Sequence, residues 1–201
     1  MGRGRRFGQW QQLDRRFSYR RVRNGTVIDK ERGQVARIFR GEFNLKVDAK
    51  GRVSIPASFR RVLEAGDPDW REGQRPKFII MYGDHRRKFL ECFSMEAINE
   101  VDEQILALPR GSEERRVLER MTSGQSHQAE VDEDGRIVLP PKAREKIALD
   151  GEAVFVASSD TFQIWKPETY EADSVAETEA YLDQLPKNVD ALSLLSRARG
   201  E

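Results

Sequence analysis

The sequence predicts an α+β fold in which one strand-and-turn unit occurs twice and helices are added around the pair. Two observations support this prediction. A ten-residue segment recurs at an offset of 84 residues, and short β-branched and aromatic runs broken by Gly and Pro surround both copies. Apolar residues at helical spacing occur in only a few stretches. With 201 residues, the chain is large enough for one compact domain or two small ones.

The formal net charge of +1 is the sum of two opposite parts. Residues 1–37, the basic leader, carry 11 Lys and Arg against 3 Asp and Glu, a net charge of +8. Residues 38–201 carry 24 against 31, a net charge of −7. The leader has no apolar spacing of strand or helix type, so we expect it to be disordered or loosely attached.

Several classes of protein are excluded by composition. The longest apolar runs, such as 78–82, have about five residues, whereas a membrane span needs about 20. The N-terminus lacks the apolar run and the cleavage site of a secretory signal. A single Cys excludes an intrachain disulfide. We therefore expect a cytoplasmic protein without membrane contact.

Each copy of the repeat has the pattern of a strand, a turn and a second strand. The two copies are VDAKGRVSIP (47–56) and VDEDGRIVLP (131–140). Asp48 and Asp132 start the turns and can accept backbone N–H groups, while Gly51 and Gly135 can adopt a positive φ. Apolar residues alternate in the second strand, and the Pro that follows suits the first turn of a helix.

The Arg that follows each Gly has no required role in the turn. Arg52 and Arg136 occupy this position in the two copies. One interpretation is that the Arg pairs with the Asp four residues earlier and holds the hairpin together. The other is that the Arg contacts a ligand. Both hold if the turn orders the side chain that the ligand meets.

The similarity between the copies resumes at an offset of 72, where 90–93 lines up with 162–165. We expect the 12 residues that separate the two offsets to lie in the polar stretch Asp67–Lys77, where an insertion is tolerated. The predicted organisation is a first repeat with a helix at 38–110, a linking helix and second repeat at 111–186, and a C-terminal tail at 187–201.

Three helices are predicted from caps and apolar spacing. Ser94 can cap a helix over Met95–Leu108, which Pro109 ends. Ser112 can open a second helix over Glu113–Ser123, with Val117, Leu118 and Met121 on its apolar side and Gly124 as its stop. A weaker third helix is predicted over Glu168–Leu185.

The segment Phe39-Arg40-Gly41-Glu42, followed by the two tandem D-x-x-G-R motifs, resembles the MraZ family of bacterial transcriptional regulators, whose mark is a duplicated D-x-x-x-R motif. The match covers about Phe39–Pro186. The resemblance implies two tandem AbrB-like swapped-hairpin repeats that form one pseudo-symmetric, β-rich core with added helices. It also implies a ring-shaped homo-oligomer that binds direct repeats in double-stranded promoter DNA of the division and cell-wall gene cluster, usually as a repressor in the nucleoid.

Basic residues that could contact DNA concentrate in the first repeat. Lys and Arg neutralise phosphates, and Arg can reach base edges in the major groove. The candidates of the first repeat are Lys46, Lys50 and Arg52 at the hairpin, Arg40 upstream and Arg60 on the following helix. In the second repeat Glu130 and Asp134 replace the two Lys, and Arg136 and Arg144 keep their charge. We expect the first hairpin to make most of the contact, with Arg136 secondary.

No pattern predicts an enzyme, a cofactor or a metal site. His127 lies near Glu130 and Asp132 in sequence, but strand alternation sends neighbouring side chains to opposite faces. His85 is expected in a solvated loop, and Cys92 is expected to be a buried thiol.

A second interpretation of the chain is an antitoxin-like protein-interaction module, with the acidic second repeat as its surface.

The resemblance begins near Phe39, which bears on where translation starts. Lys30-Glu31 can be encoded by AAG-GAG, which resembles a ribosome-binding site, and after three further codons Val35 can be encoded by the start codon GTG. We expect residues 1–34 to be upstream sequence and the native N-terminus to lie near Val35. N-terminal mass spectrometry of the native protein tests this, and peptides from residues 6–23 would contradict it. The alternative is a basic arm that contacts DNA without sequence preference.

Overall fold

The computed structural model describes residues 21–23, 26–28 and 35–199, with side chains from 38 to 196. The chain divides into two compact units, Met1–Ile38 and Phe39–Glu201. The described part of the first unit is an antiparallel sheet of β1 (Arg21–Arg23), β2 (Thr26–Ile28) and β3 (Val35–Arg37). These residues of the leader form strands, which differs from the prediction. The other residues of the leader lie outside the described part of the chain.

The second unit has a six-stranded antiparallel sheet in the order β4-β10-β11-β7-β6-β8 and a separate two-stranded ribbon of β5 and β9. The strands are β4 (Glu42–Lys46), β5 (Arg52–Ser54), β6 (Lys77–Met81), β7 (Phe89–Ser94), β8 (Ser126–Glu130), β9 (Arg136–Val138), β10 (Glu152–Ser158) and β11 (Thr161–Trp165). The helices are α1 (Ala57–Ala65), α2 (Met95–Ala107), α3 (Glu113–Glu119), α4 (Pro141–Lys146), α5 (Pro167–Thr169), α6 (Ala176–Asp183) and α7 (Leu194–Arg199).

The two repeats exchange strands. The first strand of repeat one, β4, pairs with β10 of repeat two, and the first strand of repeat two, β8, pairs with β6 of repeat one. The second strands, β5 and β9, pair with each other. Neither turn therefore closes a simple hairpin, since each turn connects a strand of the sheet to a strand of the ribbon. The α+β fold built from tandem repeats is confirmed.

A pseudo-twofold axis relates the two repeats. Glu91 of β7 lies opposite Gln163 of β11, and these residues are equivalent at the offset of 72. In the ribbon, Val53 lies opposite Ile137, and these residues are equivalent at the offset of 84. The axis therefore passes between β7 and β11 at the centre of the sheet and through the middle of the ribbon.

The strand register also places the residues that differ in number between the repeats. Lys46 pairs with Glu152, and its equivalent Glu130 pairs with Lys77. Lys77 therefore corresponds to Glu152, which is an offset of 75. The first repeat has nine extra residues between α1 and β6 and three extra residues in the turn between β6 and β7. The prediction of a single insertion before β6 was wrong for those three residues.

Aromatic side chains fill the core between the sheet, the ribbon and α1. Phe162 lies at the centre, with its ring centroid 5.1 Å from those of Phe39 and Phe59 and 5.9 Å from that of Phe78. The alternating residues of β5, β9 and the positions after them, namely Val53, Ile55, Ile137 and Leu139, are buried as predicted. A smaller apolar cluster is formed by Val154, Trp165 and Tyr170.

The predicted helix caps are present. The Ser94 hydroxyl oxygen accepts a hydrogen bond from the backbone N–H of Ala97 (3.2 Å), and that of Ser112 accepts one from the N–H of Arg115 (3.2 Å). The second predicted helix is α3 followed by a π-helical turn, Arg120–Gly124. The third is α5, a π-helical turn over Tyr170–Val175, and α6.

The predicted apolar side of the second helix was wrong at Val117, which is 49% exposed. The buried residue of α3 is Arg115. Its Nη1 donates to the carbonyl oxygens of Leu106 (3.0 Å) and Leu108 (2.9 Å) at the end of α2, and its Nε donates to Glu119 (2.7 Å). The free carbonyls of a helix end thus favour the burial of a cation over that of a Val.

None of the described helices is both long and apolar enough to span a bilayer.

The central position of Phe162 predicts a large effect of its truncation. We expect Phe162→Ala to lower the free energy of unfolding by about 3–5 kcal/mol, because a fully buried ring leaves a cavity among four other rings. Urea denaturation followed by circular dichroism measures this change. Leu106→Ala, at an exposed apolar residue, is the control and should change it by less than about 0.5 kcal/mol. Equal effects of the two substitutions would contradict the described core.

Candidate nucleic-acid interface

The β5–β9 ribbon has one buried face and one exposed face. Val53 and Ile137 point into the core, and strand alternation sends the residues on either side of them outward. Arg52 lies opposite Val138, and Ser54 lies opposite Arg136. The exposed face therefore carries two Arg, one from each repeat, together with a Ser and a Val.

The first turn orders the Arg of the first repeat. One carboxylate oxygen of Asp48 accepts hydrogen bonds from the backbone N–H groups of Lys50 (2.9 Å) and Arg52 (2.9 Å). The other accepts one from the Nε of Arg52 at 2.6 Å. The N–H of Gly51 donates to the carbonyl oxygen of Asp48 (2.8 Å), and its φ of 81° directs the chain out of the turn into β5. The predicted turn roles of Asp48 and Gly51 match this geometry, and the Arg–Asp pair is formed.

These contacts shift the titration of Asp48. The hydrogen bonds from the backbone and then the side chain of Arg52 lower the pKa of the Asp48 carboxyl below its ordinary value. A lowered folded-state pKa means that the ionised carboxylate stabilises the turn above the pKa of the unfolded chain. This contribution is lost as the pH falls through the folded-state pKa.

The second turn has the same backbone but a different side-chain contact. Asp132 accepts a hydrogen bond from the N–H of Arg136 (2.7 Å), and Gly135 has a φ of 74°. The guanidinium of Arg136 donates from Nη1 to Asp134 (3.1 Å). In the first repeat the residue equivalent to Asp134 is Lys50, which cannot accept a hydrogen bond. Asp134 therefore binds a terminal nitrogen of Arg136, whereas Lys50 leaves the equivalent nitrogen of Arg52 without a hydrogen bond.

Each turn is also attached to the other repeat through its Gly. The carbonyl oxygen of Gly51 accepts a hydrogen bond from the N–H of Leu139, and that of Gly135 accepts one from the N–H of Ile55, both at 2.8 Å. A Cβ at Gly51 would lie 2.7 Å from the Leu139 carbonyl oxygen. The two turns thus lie at opposite ends of one ribbon, joined by backbone hydrogen bonds across the repeats.

The helix Arg residues are exchanged between the turns. A Cβ at Gly51 would lie 2.8 Å from the Nε of Arg144, and one at Gly135 would lie 2.9 Å from the Nη1 of Arg60. Arg60, on the helix that follows the first hairpin in the chain, therefore lies beside the second turn, and Arg144 lies beside the first. The reason is the strand exchange, which places the helix of each repeat against the turn of the other.

The remaining candidates lie at different distances from the ribbon. Lys46, Arg52 and Arg136 line one open depression beside Asp48 and Gly151. Lys50 is exposed in the first turn. Arg40 lies before the opposite end of β4, where the N–H of its neighbour Phe39 donates to Ser159 (2.8 Å). Six residues of extended chain span about 20 Å, so Arg40 is separate from the other candidates.

The ribbon has one mainly basic end and one mainly acidic end, and Arg60 and Arg136 are the Arg residues at the acidic end. Lys46, Lys50 and Arg144 lie around the first turn together with the paired Asp48 and Arg52. The acidic residues around the second turn are Glu130, Asp132, Glu133 and Asp134, of which Glu133 pairs with Arg75 (3.1 Å). The fold is pseudo-symmetric, but the charge on its exposed surface is not.

Three residues of this surface were missed by sequence reasoning. Ser54 and Val138 lie between the Arg side chains on the outward face, and the alternation with buried Val53 and Ile137 is the signal that places them there. Arg144 was compared with Arg60 but was not assigned to the first turn. Only the pairing of β5 with β9 could have indicated its position.

Comparison with known proteins agrees with the repeat geometry. The family model described as "MraZ protein, putative antitoxin-like" matches residues 38–120 and 123–187, one match for each repeat. The chain belongs to the MraZ family. A protein named "Transcriptional regulator MraZ" from Ruegeria pomeroyi is 62% identical over 166 residues, which is 83% of this chain and 99% of that relative.

More distant MraZ relatives carry the same name. The one from Cereibacter sphaeroides (strain ATCC 17025) is 49% identical over 80% of this chain and 97% of that relative. The one from Desulforamulus reducens is 32% identical over 76% of this chain and 97% of that relative. Membership of the MraZ family makes this protein a transcriptional regulator, and that is not a class of enzymes.

The close approach at Gly51 predicts how the first turn responds to a side chain. We expect Gly51→Ala to destabilise the protein by at least about 2 kcal/mol, because the Cβ meets the Leu139 carbonyl and the residue keeps a positive φ. Gly73→Ala is the matched control. Gly73 has a similar φ of 85° with nothing within 4 Å of the added Cβ, so we expect a loss of about 1 kcal/mol. Thermal denaturation of both variants measures the difference, and equal losses would contradict the described contact.

Proposed function

We propose that this regulator binds double-stranded DNA through the exposed face of the β5–β9 ribbon. The observation that carries the proposal is the presence of Arg52 and Arg136 on one outward face of a two-stranded ribbon. The major groove of B-DNA admits such a ribbon, and Arg is the side chain that most often contacts guanine there. Val138, which is 53% exposed between these Arg residues, offers an apolar contact of the kind that a thymine methyl group accepts.

The side-chain contacts assign unequal roles to the two Arg residues. The Nε of Arg52 donates a hydrogen bond to Asp48. No described residue accepts a hydrogen bond from the two terminal nitrogens of Arg52. These nitrogens are thus oriented and available for a bidentate contact with a guanine. Arg136 already uses Nη1 on Asp134. Arg52 is therefore the principal base-reading residue of the proposal, and Arg136 is secondary.

Phosphate contacts are assigned to the basic end of the ribbon. Lys46, Lys50 and Arg144 lie near the first turn, where they would neutralise the DNA backbone on either side of the groove. The acidic residues around the second turn repel phosphates. Each chain should therefore bind in one orientation, with its first turn closest to the DNA backbone.

A chain of this charge needs several copies to bind well. Residues 38–201 carry a net charge of −7, so the affinity of one ribbon for DNA is expected to be weak. In a ring-shaped homo-oligomer each further contact becomes intramolecular, and the weak affinities multiply. Ribbons that enter successive major grooves would contact direct repeats spaced by about 10 bp. The proposed target is the promoter of the division and cell-wall gene cluster, bound in the nucleoid with repression as the outcome.

A second candidate function is an antitoxin-like interaction with a partner protein. The acidic surface around the second turn favours this candidate, since Glu130, Asp132 and Asp134 lie at the end of the ribbon that DNA would avoid. Absence of binding to promoter DNA would favour this candidate.

The role of Arg52 is tested by its removal. We expect Arg52→Ala to weaken binding to the DNA upstream of the protein's own gene by about tenfold or more, because a bidentate base contact is lost. Mobility shift across a salt series measures the affinity and the number of phosphates contacted. Arg71→Ala, which removes the same charge from the loop between α1 and β6, is the matched control and should bind as the wild type does.

Two results would contradict the proposal. Wild-type affinity of a correctly folded and assembled Arg52→Ala variant would exclude the ribbon as the binding surface. Failure of the wild-type protein to bind DNA even at low salt would favour the partner-protein function.

A further inference from the structure

A groove separate from the ribbon lies between the β6–β7 turn and the end of α3. The two segments meet through their backbones, since a Cβ at Gly83 would lie 2.5 Å from the carbonyl oxygen of Met121. Val117 and Met121 form its apolar part, and His85, Arg86 and Arg120 lie around them. We call this surface the basic groove. The second repeat has no counterpart, because its β10–β11 turn lacks the three extra residues of the first repeat.

The charges of the basic groove are only partly neutralised within the chain. Arg86 donates to both carboxylate oxygens of Asp84, at 2.9 and 2.7 Å. Within residues 38–196, no hydrogen bond or ion pair engages the guanidinium of Arg120 or that of Arg116, which lies four residues earlier on the same side of the helix. The groove therefore suits an occupant that is both apolar and acidic.

The C-terminal helical segment has these properties. Residues 168–183, the acidic arm, contain six Asp and Glu and no Lys or Arg. Every residue of α6, at the end of the arm, is exposed, including Tyr181 (53%) and Leu182 (42%). A helix of eight residues with no buried side chain is marginal by itself in water. Glu179 and Asp183 flank Leu182 on one side of this helix. Likewise, Arg116 of α3 and Arg120 of the π-helical turn that continues it flank Val117.

The chain does not place its own arm in its own groove. The Nζ of Lys88 pairs with Asp173 at 2.8 Å, so the base of the arm is attached next to the β6–β7 turn. Although the arm begins close to the groove, α6 remains exposed along its whole length. Both surfaces are therefore open to a second molecule.

We propose that α6 of one chain docks in the basic groove of a second copy of this chain. Groove and arm are different surfaces, so the contact is heterologous, and repeated head-to-tail contacts of this type close into a ring when the rotation allows it. Opposite charges at the rim orient the two surfaces, and the burial of Leu182, Tyr181 and Val117 supplies the apolar contact. The proposal rests on the ring of the proposed function and names the surfaces that form it.

The test reverses the charges on each side separately and then together. The groove variant is Arg116→Glu with Arg120→Glu, and the arm variant is Glu179→Arg with Asp183→Arg. Each should shift the concentration midpoint of assembly upward by at least about tenfold, because like charges then face each other across the contact. The chain with all four changes restores opposite charges and should assemble as the wild type does. Light scattering coupled to size exclusion, without DNA, measures the mass.

Control variants separate this contact from general charge effects and from DNA binding. Arg61→Glu and Glu72→Arg reverse exposed charges outside the two surfaces and should leave the mass unchanged. Arg52→Ala should also assemble normally, since its effect is confined to DNA. Circular dichroism checks that each variant is folded.

The outcomes distinguish this proposal from the proposed function. If the wild type forms a multimer but neither reversed variant changes its mass, the docking contact is overturned while the ring stands. A second outcome is that both reversed variants are impaired and the chain with all four substitutions also fails to assemble. This outcome overturns the charge pairing. A wild type that remains a monomer at all concentrations overturns the ring and the docking contact together.

Discussion

The antiparallel pairing of β5 with β9 is the interaction on which the rest of the structure depends. It joins the two repeats through three residues of each strand and is extended by hydrogen bonds from Leu139 to Gly51 and from Ile55 to Gly135. Since each second strand is used in this ribbon, each first strand must find another partner, and it pairs with a strand of the opposite repeat. The exchange of strands gives one core instead of two small ones. One joint core buries a larger fraction of the chain's surface than two small ones, and it encloses Phe162 together with the four rings around it.

The same pairing explains why the repeats have diverged in charge but not in turn chemistry. The Asp that accepts backbone N–H groups, the Gly with a positive φ and the inward apolar residues are needed by both halves of the ribbon. The outward residues are exposed, so burial in the core does not constrain them. Lys50 and Asp134 occupy equivalent positions of one backbone, yet Asp134 engages the guanidinium of Arg136 and Lys50 leaves that of Arg52 free at its terminal nitrogens. One backbone thus provides two surfaces of opposite charge.

Much of the fold was predictable because its signals are local. The repeat, the two turns, the Ser94 and Ser112 caps and the buried alternation around Val53 and Ile137 each depend on residues within one turn of helix or a few positions of strand. The errors arose where contacts between residues far apart in the chain determine which side chains are buried. Arg115 is buried and Val117 is exposed because α3 lies against the free carbonyls at the end of α2, which helical spacing alone does not reveal. Of the candidate site residues, Lys46, Lys50, Arg52 and Arg136 could be named from the sequence as belonging to the ribbon or its turns.

The sequence by itself determined that this protein contains one unit twice, that each unit turns at an Asp and a Gly, and that the net charge is positive at the turn of only one unit. These properties depend on short stretches of chain, where steric preferences, turn hydrogen bonds and the alternation of apolar and polar side chains act between neighbouring residues. The tertiary structure decided which strands pair, that Arg144 and not Arg60 lies beside the first turn, and that Arg40 lies apart from the ribbon. These are contacts between residues about 45 to 120 positions apart in the chain. Their choice depends on the free energy of burying one joint core, which no local pattern records.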